Sequence, residues 1–385
     1  MEPAGNGYLS VGSRVSCDAA MGSKVALVAF DENNAQESFE RALKLVGGIS
    51  DLNTAKRSVV IKVGVFDPSA GNHTSINVAD AIAGSFNKAS KIFLAESDNY
   101  KGKALDRLQI WKQIFSTRLV PFSLSDDPET RKLKVAGEEL ALSHVLFKPN
   151  VFVSTHILRA YEKGSVLKNL LGLVPDVKKA RFHKKLDTLL ADAYEAIGGI
   201  DLAVLDGTYL HRGVSANPHV IGSESGKDRN RANALVVGRD AVAVEAVGAV
   251  LAGLEPEKMS VIQEFVKRGF GEGDLKNIDV VGDSFEDIRE NFAYLVKLQK
   301  RRPPRGAPPQ TWGGQANRAM KTLTREGFFR LPKKRAGTDV AKAFEAKGLV
   351  TRGKEDNISR ILALRAKRGI LKAEKSQDKW FYWTE

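Results

Sequence analysis

The chain has 385 residues, of which 43% are hydrophobic and 27% are charged, as in globular proteins large enough for more than one domain. No apolar run reaches the roughly 20 residues that span a bilayer, and no basic-then-apolar leader opens the chain, so neither a membrane protein nor an exported one is expected. The single cysteine, Cys17, excludes a disulfide framework and an iron–sulfur cluster held by one chain. These features predict a cytoplasmic protein.

The net charge of +13 is concentrated at one end of the chain. Residues 300–385 carry 22 Lys and Arg against 8 Asp and Glu, a net charge of +14, whereas the residues before them carry 37 basic and 38 acidic groups. Such asymmetry indicates a polyanionic partner for the C-terminal segment. A solvated basic tail would be poor in aromatic residues, but this segment contains the run KWFYWT.

Residues 1–22 show no periodicity and are expected to be disordered or to be an extension from an upstream start site. An α/β domain is expected over 23–299, where short β-branched runs alternate with helical patterns. Apolar strands that alternate with helices predict a mostly parallel β-sheet flanked by helices. Strands are predicted at 25–30, 59–65, 91–97, 151–155, 201–207, 234–240 and 278–283, and helices near 35–46, 75–89, 103–116, 184–197, 240–252 and 257–268.

Polar residues at the carboxyl ends of these strands are the first candidates for a binding site, because ligands of parallel sheets lie there. Lys62 stands inside the apolar run VVIKVGV, and a buried lysine needs a carboxylate or an anionic ligand. Glu96, His156 and Asp206 end three further predicted strands. Asp240 ends another, where it is expected to cap the next helix. A lone histidine is more often structural, but several polar strand ends together predict a shared pocket.

A polar pair, Lys168 and Asn169, interrupts the apolar stretch GSVLKNLLGLVP at 164–175. Two interpretations are open: the pair presents an ammonium and an amide to the pocket, or both side chains lie on a helix surface in water. His183 follows the basic run KKARFH, and the long loop 208–233 carries Arg212 and further basic residues. The proposed ligand contacts are Lys62, Glu96, His156, Lys168, Asn169, His183, Asp206 and Arg212, and the ligand is expected to be a small anion.

The chemistry of this pocket is not set by a known catalytic motif. The sequence lacks a phosphate-binding loop, a serine nucleophile elbow and HExxH or CxxC motifs. If the domain is an enzyme, His156, Lys168 and His183 are the candidates for acid–base catalysis. A divalent metal is an alternative ligand, with His156, His183 and Asp206 as the candidate ligands, although the two histidines form no short metal-binding motif.

A second domain is predicted after a Pro/Gly-rich basic linker at 300–316. Helices are expected near 317–328, from the N-cap Thr338 to Gly348, and near 356–368 before Gly369, followed by a hairpin. Two helices, a turn, a third helix and a hairpin form the order of a winged helix-turn-helix domain, here over 317–385.

The third of these helices has an apolar face and a basic face. Ile358, Ile361 and Leu362 share one face, and Arg360 and Lys367 point away from it. The charge and the element order together predict binding to a nucleic acid, with duplex DNA preferred over RNA. The alternative is a domain that is used only for contact with proteins. The expected contacts are Lys333, Lys334, Arg335, Arg360, Arg365, Lys367 and Arg368.

Several stretches of the α/β domain together resemble a known family. The stretches are IKVG, AES, STH…LKNLLGLVP…H, LDG and GRDAVAVEAVGAVLAGL, in this order. They are similar to the large archaeal and bacterial family called domain of unknown function family 362, over about residues 24–285. The resemblance implies a fold and a site position but no reaction. The chain departs from the family in IKVG, where a Pro-Asn usually follows the lysine, in Glu245, where an Asp is usual, and in lacking a ferredoxin-like cluster domain.

These sequence features leave two functions open. The first is a ligand-responsive nucleic-acid-binding protein, such as a transcriptional regulator, with a small-molecule or metal pocket in its α/β domain. The alternative is an enzyme that acts on an anionic substrate and is targeted by its winged helix to a nucleic acid or a protein partner. A regulator needs only binding groups in the pocket, whereas an enzyme needs an acid–base pair with shifted pKa values.

Overall fold

A computed structural model describes most of the chain. The predicted extension at 1–22, most of the linker at 300–316, and Arg212 with most of its loop lie outside the described residues. The chain divides into two compact units, Met1–Arg301 and Arg302–Glu385, called below the α/β unit and the C-terminal unit. The described residues are 23–68, 71–147, 149–211, 220–221, 232–300 and 312–384.

The α/β unit is built on a large central sheet. Its strand order is β11-β1-β10-β8-β7-β2-β3-β4, with the short β9 beside β8, while β5 and β6 form a separate antiparallel hairpin. The strands are β1 (Ser23–Ala29), β2 (Val59–Val63), β3 (Ile92–Glu96), β4 (Leu119–Ser123), β5 (Thr130–Val135), β6 (Glu138–Ser143), β7 (Val151–Arg159), β8 (Leu202–His211), β9 (Val220–Ile221), β10 (Ala234–Gly238) and β11 (Ile278–Gly282).

The sheet is mostly parallel, as the sequence predicts. Strands β2, β3, β4, β7 and β8 pair in parallel, and β10 runs antiparallel to both of its neighbours, β8 and β1. All seven predicted strands are present. The main differences are that β7 continues to Arg159 and β8 to His211, and that β4 and the β5–β6 hairpin are additional.

Helices cover both faces of this sheet. One buried apolar cluster contains Phe39 and Ile82, and a second contains Leu189 and Phe265. Burial on both faces explains why β2, β8 and β10 are apolar almost throughout. The helices are α1 (Ala35–Leu45), α2 (Ile76–Ser85), α3 (Ala104–Leu108), α4 (Leu186–Ala196), α5 (Ala241–Leu251), α6 (Ser260–Lys267) and α7 (Phe285–Lys300).

Local side-chain chemistry sets where several helical segments begin and end. Asp240 caps α5 as predicted, since its Oδ1 accepts hydrogen bonds from the backbone N–H groups of Val242 at 2.9 Å and Ala243 at 3.0 Å. The stretch 164–175 forms a 3-10 turn over Lys168–Leu173 and not an α-helix. Gly172 and Pro175 interrupt it, which leaves too few residues for a stable α-helix.

The path of the chain through the sheet creates a place for a ligand. From β2 the chain moves outward to β3 and then β4, whereas β7 lies on the other side of β2 and leads on to β8. The strand order therefore reverses between β2 and β7. In open α/β sheets, ligands bind at such a reversal, beyond the carboxyl ends of the strands.

The C-terminal unit has its own apolar core, which includes Met320, Phe344, Leu362 and Tyr382. Its three short strands pair in the order β12-β14-β13. None of the helices in the described parts of the chain is both long and apolar enough to cross a membrane. The elements are α8 (Trp312–Arg325), β12 (Arg335–Ala336), α9 (Gly337–Glu345), α10 (Glu355–Lys367), β13 (Lys372–Ser376) and β14 (Lys379–Trp383).

The helix ends of this unit partly follow the sequence prediction. Gly348 and Gly369 follow α9 and α10 with φ of +79° and +70°, the left-handed conformation that favours glycine after a helix. The predicted N-cap at Thr338 is wrong. Helix α9 begins at Gly337, and the Asp339 carboxylate accepts the backbone N–H of Ala336 at 2.8 Å.

Candidate functional site

A cavity of about 320 Å³ lies beyond the carboxyl ends of β2, β3 and β7. Its position is the reversal of strand order between β2 and β7. Asp206 is not among the residues that line it, and Arg212 lies outside the described residues. Six proposed ligand contacts do line it: Lys62, Glu96, His156, Lys168, Asn169 and His183.

Lys62 and Glu96 form a buried ion pair at this cavity. Lys62 Nζ lies 3.0 Å from Glu96 Oε2 and donates hydrogen bonds to Asn169 Oδ1 and to the Val63 carbonyl, each at 3.0 Å. Burial lowers the pKa of Lys62, and the charge of Glu96 opposes that shift. The expectation that a buried Lys62 faces a carboxylate is therefore confirmed, and the protein itself satisfies this ammonium.

Asn169 joins the turn to two strands of the sheet. Its amide Nδ2 donates to the carbonyl oxygens of Lys62 at 2.8 Å and Thr155 at 3.1 Å. Asn169 and Lys168 are 5% and 6% exposed, so the interpretation that both side chains lie in water is wrong. The amide of Asn169 thus makes its hydrogen bonds within the protein. The ammonium of Lys168 makes none with the described residues.

Lys168 is a buried cation without a partner among the residues that the structure describes. Its side chain lines the cavity, and its ammonium makes no hydrogen bond or ion pair with any described residue. Burial, with smaller contributions from the charges of Arg159 and Lys163, lowers the pKa of Lys168 to about 7. An unpaired buried charge is costly, and an anionic ligand would offset that cost.

Arg159 lines the same cavity as Lys168 and was not predicted. Its Nη2 donates to the carbonyl oxygens of Gly164 at 2.6 Å and Ser165 at 3.2 Å, and its buried Nε has no hydrogen-bond partner among the described residues. Burial lowers the pKa of Arg159 to about 10. The strand predicted from the sequence ends at residue 155. A signal was present, because the apolar run continues through Ile157 and Leu158.

Glu245 shapes the turn that carries Lys168. Its carboxylate accepts the backbone N–H groups of Ser165 at 2.7 Å and Leu167 at 2.8 Å. Gly164 precedes this turn with φ of +85°, and a Cβ there would lie 3.0 Å from the Glu245 carboxyl carbon. The glutamate and the glycine together hold the turn in place.

Lys179, like Arg159, was not predicted, although the basic run KKARFH marks its segment. Its ammonium donates to the carbonyl oxygen of Asp98 and lines the cavity. Burial lowers the pKa of Lys179 to about 8, and the nearby charge of Glu96 opposes the shift. The ammonium contacts a carbonyl but no carboxylate among the described residues.

His156 is buried and neutral at pH 7. Its Nδ1 lies 2.9 Å from the Ile157 carbonyl oxygen, so Nδ1 carries the proton and Nε2 is an acceptor. Burial, with the charge of Arg159, lowers the pKa of His156 well below its ordinary value. A Cβ at Gly64 would lie 1.7 Å from His156 Cδ2 and 2.4 Å from Nε2, so only glycine leaves room for this ring.

His183 and Asp206 lie in environments that differ from the buried part of the cavity. His183 is exposed, with Nδ1 2.9 Å from the Ala180 carbonyl oxygen. The buried Asp206 carboxylate accepts the backbone N–H groups of Ser75 at 2.6 Å and Thr208 at 2.9 Å. Within the described residues no group of three or more His, Cys, Asp and Glu side chains could hold a metal ion. The trio suggested for a metal is thus not brought together.

Three of the seven basic residues proposed for nucleic-acid contact are engaged inside the C-terminal unit. Lys334 pairs with Glu374 and lies over the Trp383 ring at 4.5 Å. The Arg335 guanidinium lies 4.3 Å from the Phe328 ring centre. Arg365 is half-buried, and its Nη2 donates to Asn317 Oδ1 at 3.3 Å.

The other four are exposed: Lys333, Arg360, Lys367 and Arg368. The last three belong to α10 or its end, while Ile358 and Leu362 of the same helix are buried in the core. The predicted division of this helix into an apolar and a basic face is confirmed.

Comparison with known proteins bears on the α/β unit. A family model described as "Domain of unknown function (DUF362)" matches residues 59–250. Every residue that lines the cavity falls within this range. No match was found among curated proteins.

Proposed function

The chain belongs, through residues 59–250, to the DUF362 family, and we propose that it is a ligand-responsive nucleic-acid-binding protein. In this proposal the α/β unit binds a small anionic ligand and the C-terminal unit binds duplex DNA. The location is cytoplasmic. The single observation that carries the ligand proposal is the buried ammonium of Lys168, which has no partner among the described residues.

The charge of the cavity supports an anion. Lys62, Arg159, Lys168 and Lys179 line it, against the carboxylate of Glu96. Cations that have lost their water attract an anion more strongly than exposed cations, because the surrounding protein screens charge weakly. A cavity of about 320 Å³ has the size of a small-molecule site.

Sulfate tests this proposal, because its charge is constant between pH 6 and 9. Isothermal calorimetry of the full chain should show binding at pH 6.5 that weakens as pH rises through about 7, where the empty-site Lys168 loses its proton. Lys168→Met should abolish the component of binding that weakens as pH rises through about 7. Lys132→Met, at a surface lysine that is 73% exposed, is the matched control and should bind as wild type does. Absence of anion binding, or binding unchanged in Lys168→Met, would overturn the proposal.

The C-terminal unit supports a winged helix-turn-helix assignment through its element order. Helices α8, α9 and α10 are followed by the β13–β14 hairpin, which pairs with β12. In such domains a helix enters the major groove and the hairpin contacts the backbone. Helix α10 exposes Arg360 and Lys367, and the segment 300–385 carries the whole charge excess of the chain.

Fluorescence anisotropy of the full chain with a duplex DNA tests this second part. Affinity should fall steeply with salt, because each phosphate contact releases counterions. The double variant Arg360→Ala, Lys367→Ala should weaken binding and flatten the salt dependence. Saturating the α/β unit with an anion should change the DNA affinity. A DNA affinity that does not change with salt concentration would exclude phosphate contacts. A DNA affinity that does not change when an anion is bound would exclude the ligand response.

An enzyme acting on an anionic substrate is the second candidate. The observation that favours it is the presence, in one cavity, of the neutral acceptor His156 Nε2 and of Lys168 with a pKa of about 7. Lys168 can take up and return a proton near neutral pH, and His156 Nε2 can accept a hydrogen bond from the substrate. Exchange of carbon-bound protons of an added carboxylic acid with D₂O, followed by NMR and lost in His156→Gln, would identify an enzyme.

A further inference from the structure

The cavity has two cationic ends, and we infer that its ligand carries two anionic groups, one bound at each end. This inference rests on the proposed anion binding and specifies the class of the anion. The β7 end consists of Arg159 and Lys168. The β3 end consists of Lys179 together with the Lys62–Glu96 pair.

The β7 end carries positive charge in excess. Hydrogen bonds from Nη2 to the carbonyls of Gly164 and Ser165 hold the Arg159 guanidinium in place. Arg159 and Lys168 line the same cavity, and the charge of Arg159 contributes to the lowered pKa of Lys168. The carboxylate of Glu245 is already bound by two backbone N–H groups of the turn. Among the described residues Lys168 therefore lacks a carboxylate partner, and an anionic group of the ligand can supply one.

The β3 end has a separate excess of positive charge. Lys62 and Glu96 neutralise each other at 3.0 Å, and Arg107 Nη1 lies 4.0 Å from the same Glu96 oxygen. The carboxylate of Asp98 pairs with Lys103 at 2.8 Å. The ammonium of Lys179 reaches only the backbone carbonyl of Asp98. This second ammonium also has no carboxylate partner among the described residues.

The sheet register sets the separation of the two ends. Lys62 on β2 pairs with Ala95 on β3 and with Ser154 on β7, so β2 lies between β3 and β7. Neighbouring strands are about 4.8 Å apart, so β3, which carries Glu96, and β7, which carries Arg159, are about 10 Å apart. One sulfate-sized anion can contact one end only. Two carboxylates, or a phosphate and a carboxylate, joined by a short carbon chain can contact both.

The cavity also offers apolar surface to such a carbon chain. Phe66, Leu171 and Val177 are among the residues that line it. His156, whose Nε2 is an acceptor, lines the same cavity as Lys62 and Arg159, and the charges of both act on its ring. A hydroxyl or N–H group in the middle of the ligand would donate to this nitrogen. The ligand class is therefore a short dianion, with a hydrogen-bond donor between its anionic groups.

Calorimetry of the full chain with straight-chain acids tests the inference. The probes are succinate, glutarate and adipate, compared with butyrate, valerate and hexanoate of the same carbon number. The best dicarboxylate should bind at least ten-fold more tightly than its monocarboxylate. Lys168→Met and Lys179→Met should each reduce that advantage to less than three-fold. Lys132→Met should leave the advantage unchanged, and circular dichroism should show that all three variants are folded.

The outcomes separate the two claims. If mono- and dicarboxylates bind with equal affinity through Lys168, the inference of two anionic groups is wrong and the proposed anion binding stands. If Lys179→Met leaves the dicarboxylate advantage intact, the β3 end is not an anion position and the inference is again wrong. If neither these acids nor sulfate binds, both the inference and the proposed function are wrong.

Discussion

The cavity of the α/β unit and the surface of the C-terminal unit use the same cationic side chains in opposite environments. Lys168 is 6% exposed and its pKa is lowered to about 7, whereas Arg360 and Lys367 are exposed on α10. A buried charge costs stability unless it is paired, while an exposed one costs almost nothing. The buried cations therefore need a partner, whereas the exposed ones can serve through their charge without one.

The cavity contains the same contrast on a smaller scale. Lys62 has Glu96 and Asn169 as partners, and Lys168 has none among the described residues. Both are lysines, both are buried, and both line one cavity. Removing a partner from the first and removing the charge from the second should therefore change stability in opposite directions.

Glu96→Ala should have the largest effect. It leaves the Lys62 ammonium buried without its carboxylate, which should lower the free energy of unfolding by about 3–5 kcal/mol. Guanidinium unfolding followed by circular dichroism measures the change. The matched control is Glu139→Ala, which removes the exposed Lys132–Glu139 pair and should cost less than about 1 kcal/mol. Equal losses in the two variants would show that burial of the pair is unimportant.

Gly64→Ala should have the next largest effect. The added Cβ would lie 1.7 Å from His156 Cδ2, so the ring must move, and such overpacking costs about 1–3 kcal/mol. The displaced ring should also weaken anion binding. Gly313→Ala is the control, because a Cβ there meets no atom within 4 Å and its helical position favours alanine. Thermal unfolding compares the stability of the two variants. If Gly64→Ala is as stable as wild type, the close contact between this glycine and the ring is contradicted.

Lys168→Met should stabilise the ligand-free protein, by about 1–2 kcal/mol at pH 7, because it replaces an unpaired buried charge with an apolar side chain of similar length. The folded-state pKa of about 7 lies below the ordinary lysine value of 10.5. Between these values the unfolded state binds more protons, so this lysine makes wild-type stability rise with pH.

The advantage of Lys168→Met over wild type should therefore shrink between pH 7 and pH 9. Urea unfolding at several pH values measures it. A destabilised variant, or an advantage that grows with pH, would mean that Lys168 has a partner in the folded protein.

The double variant Arg360→Ala, Lys367→Ala should have the smallest effect on stability, within about 0.5 kcal/mol for each residue, because both side chains are exposed. Arg365→Ala on the same helix is the comparison. Its guanidinium is half-buried and bonded to Asn317, so its loss should cost about 1 kcal/mol. Thermal unfolding ranks the variants, and a large loss in the double variant would show that this face of α10 is packed.

The sequence by itself determined the fold class and most of its elements. Apolar runs such as VVIKV are readable without context, because a strand covered on both faces must be apolar throughout. The cap at Asp240 and the glycines after α9 and α10 are local chemistry, and they too were predicted correctly. Strand β4 escaped prediction because it is a short edge strand that contains Pro121.

Three further features that were missed differ in how visible they were. Strand β5 is largely exposed and charged, so it offers no hydrophobic run. Helix α7 did carry a signal, since Phe285, Ile288 and Phe292 recur at helical spacing. The 3-10 geometry of the Lys168–Leu173 turn was not visible, because it depends on how the turn meets the sheet.

The position of the site was predictable, but the roles of its residues were not. The pattern of strands in the sequence is enough to bring Lys62, Glu96 and His156 to one edge of the sheet, because each ends or interrupts a parallel strand. Only the tertiary structure decides that Asn169 bonds to Lys62, 107 positions away, while its neighbour Lys168 has no partner among the described residues. Pairing and burial depend on distances between segments far apart in the chain, and a linear pattern of residue types does not contain those distances.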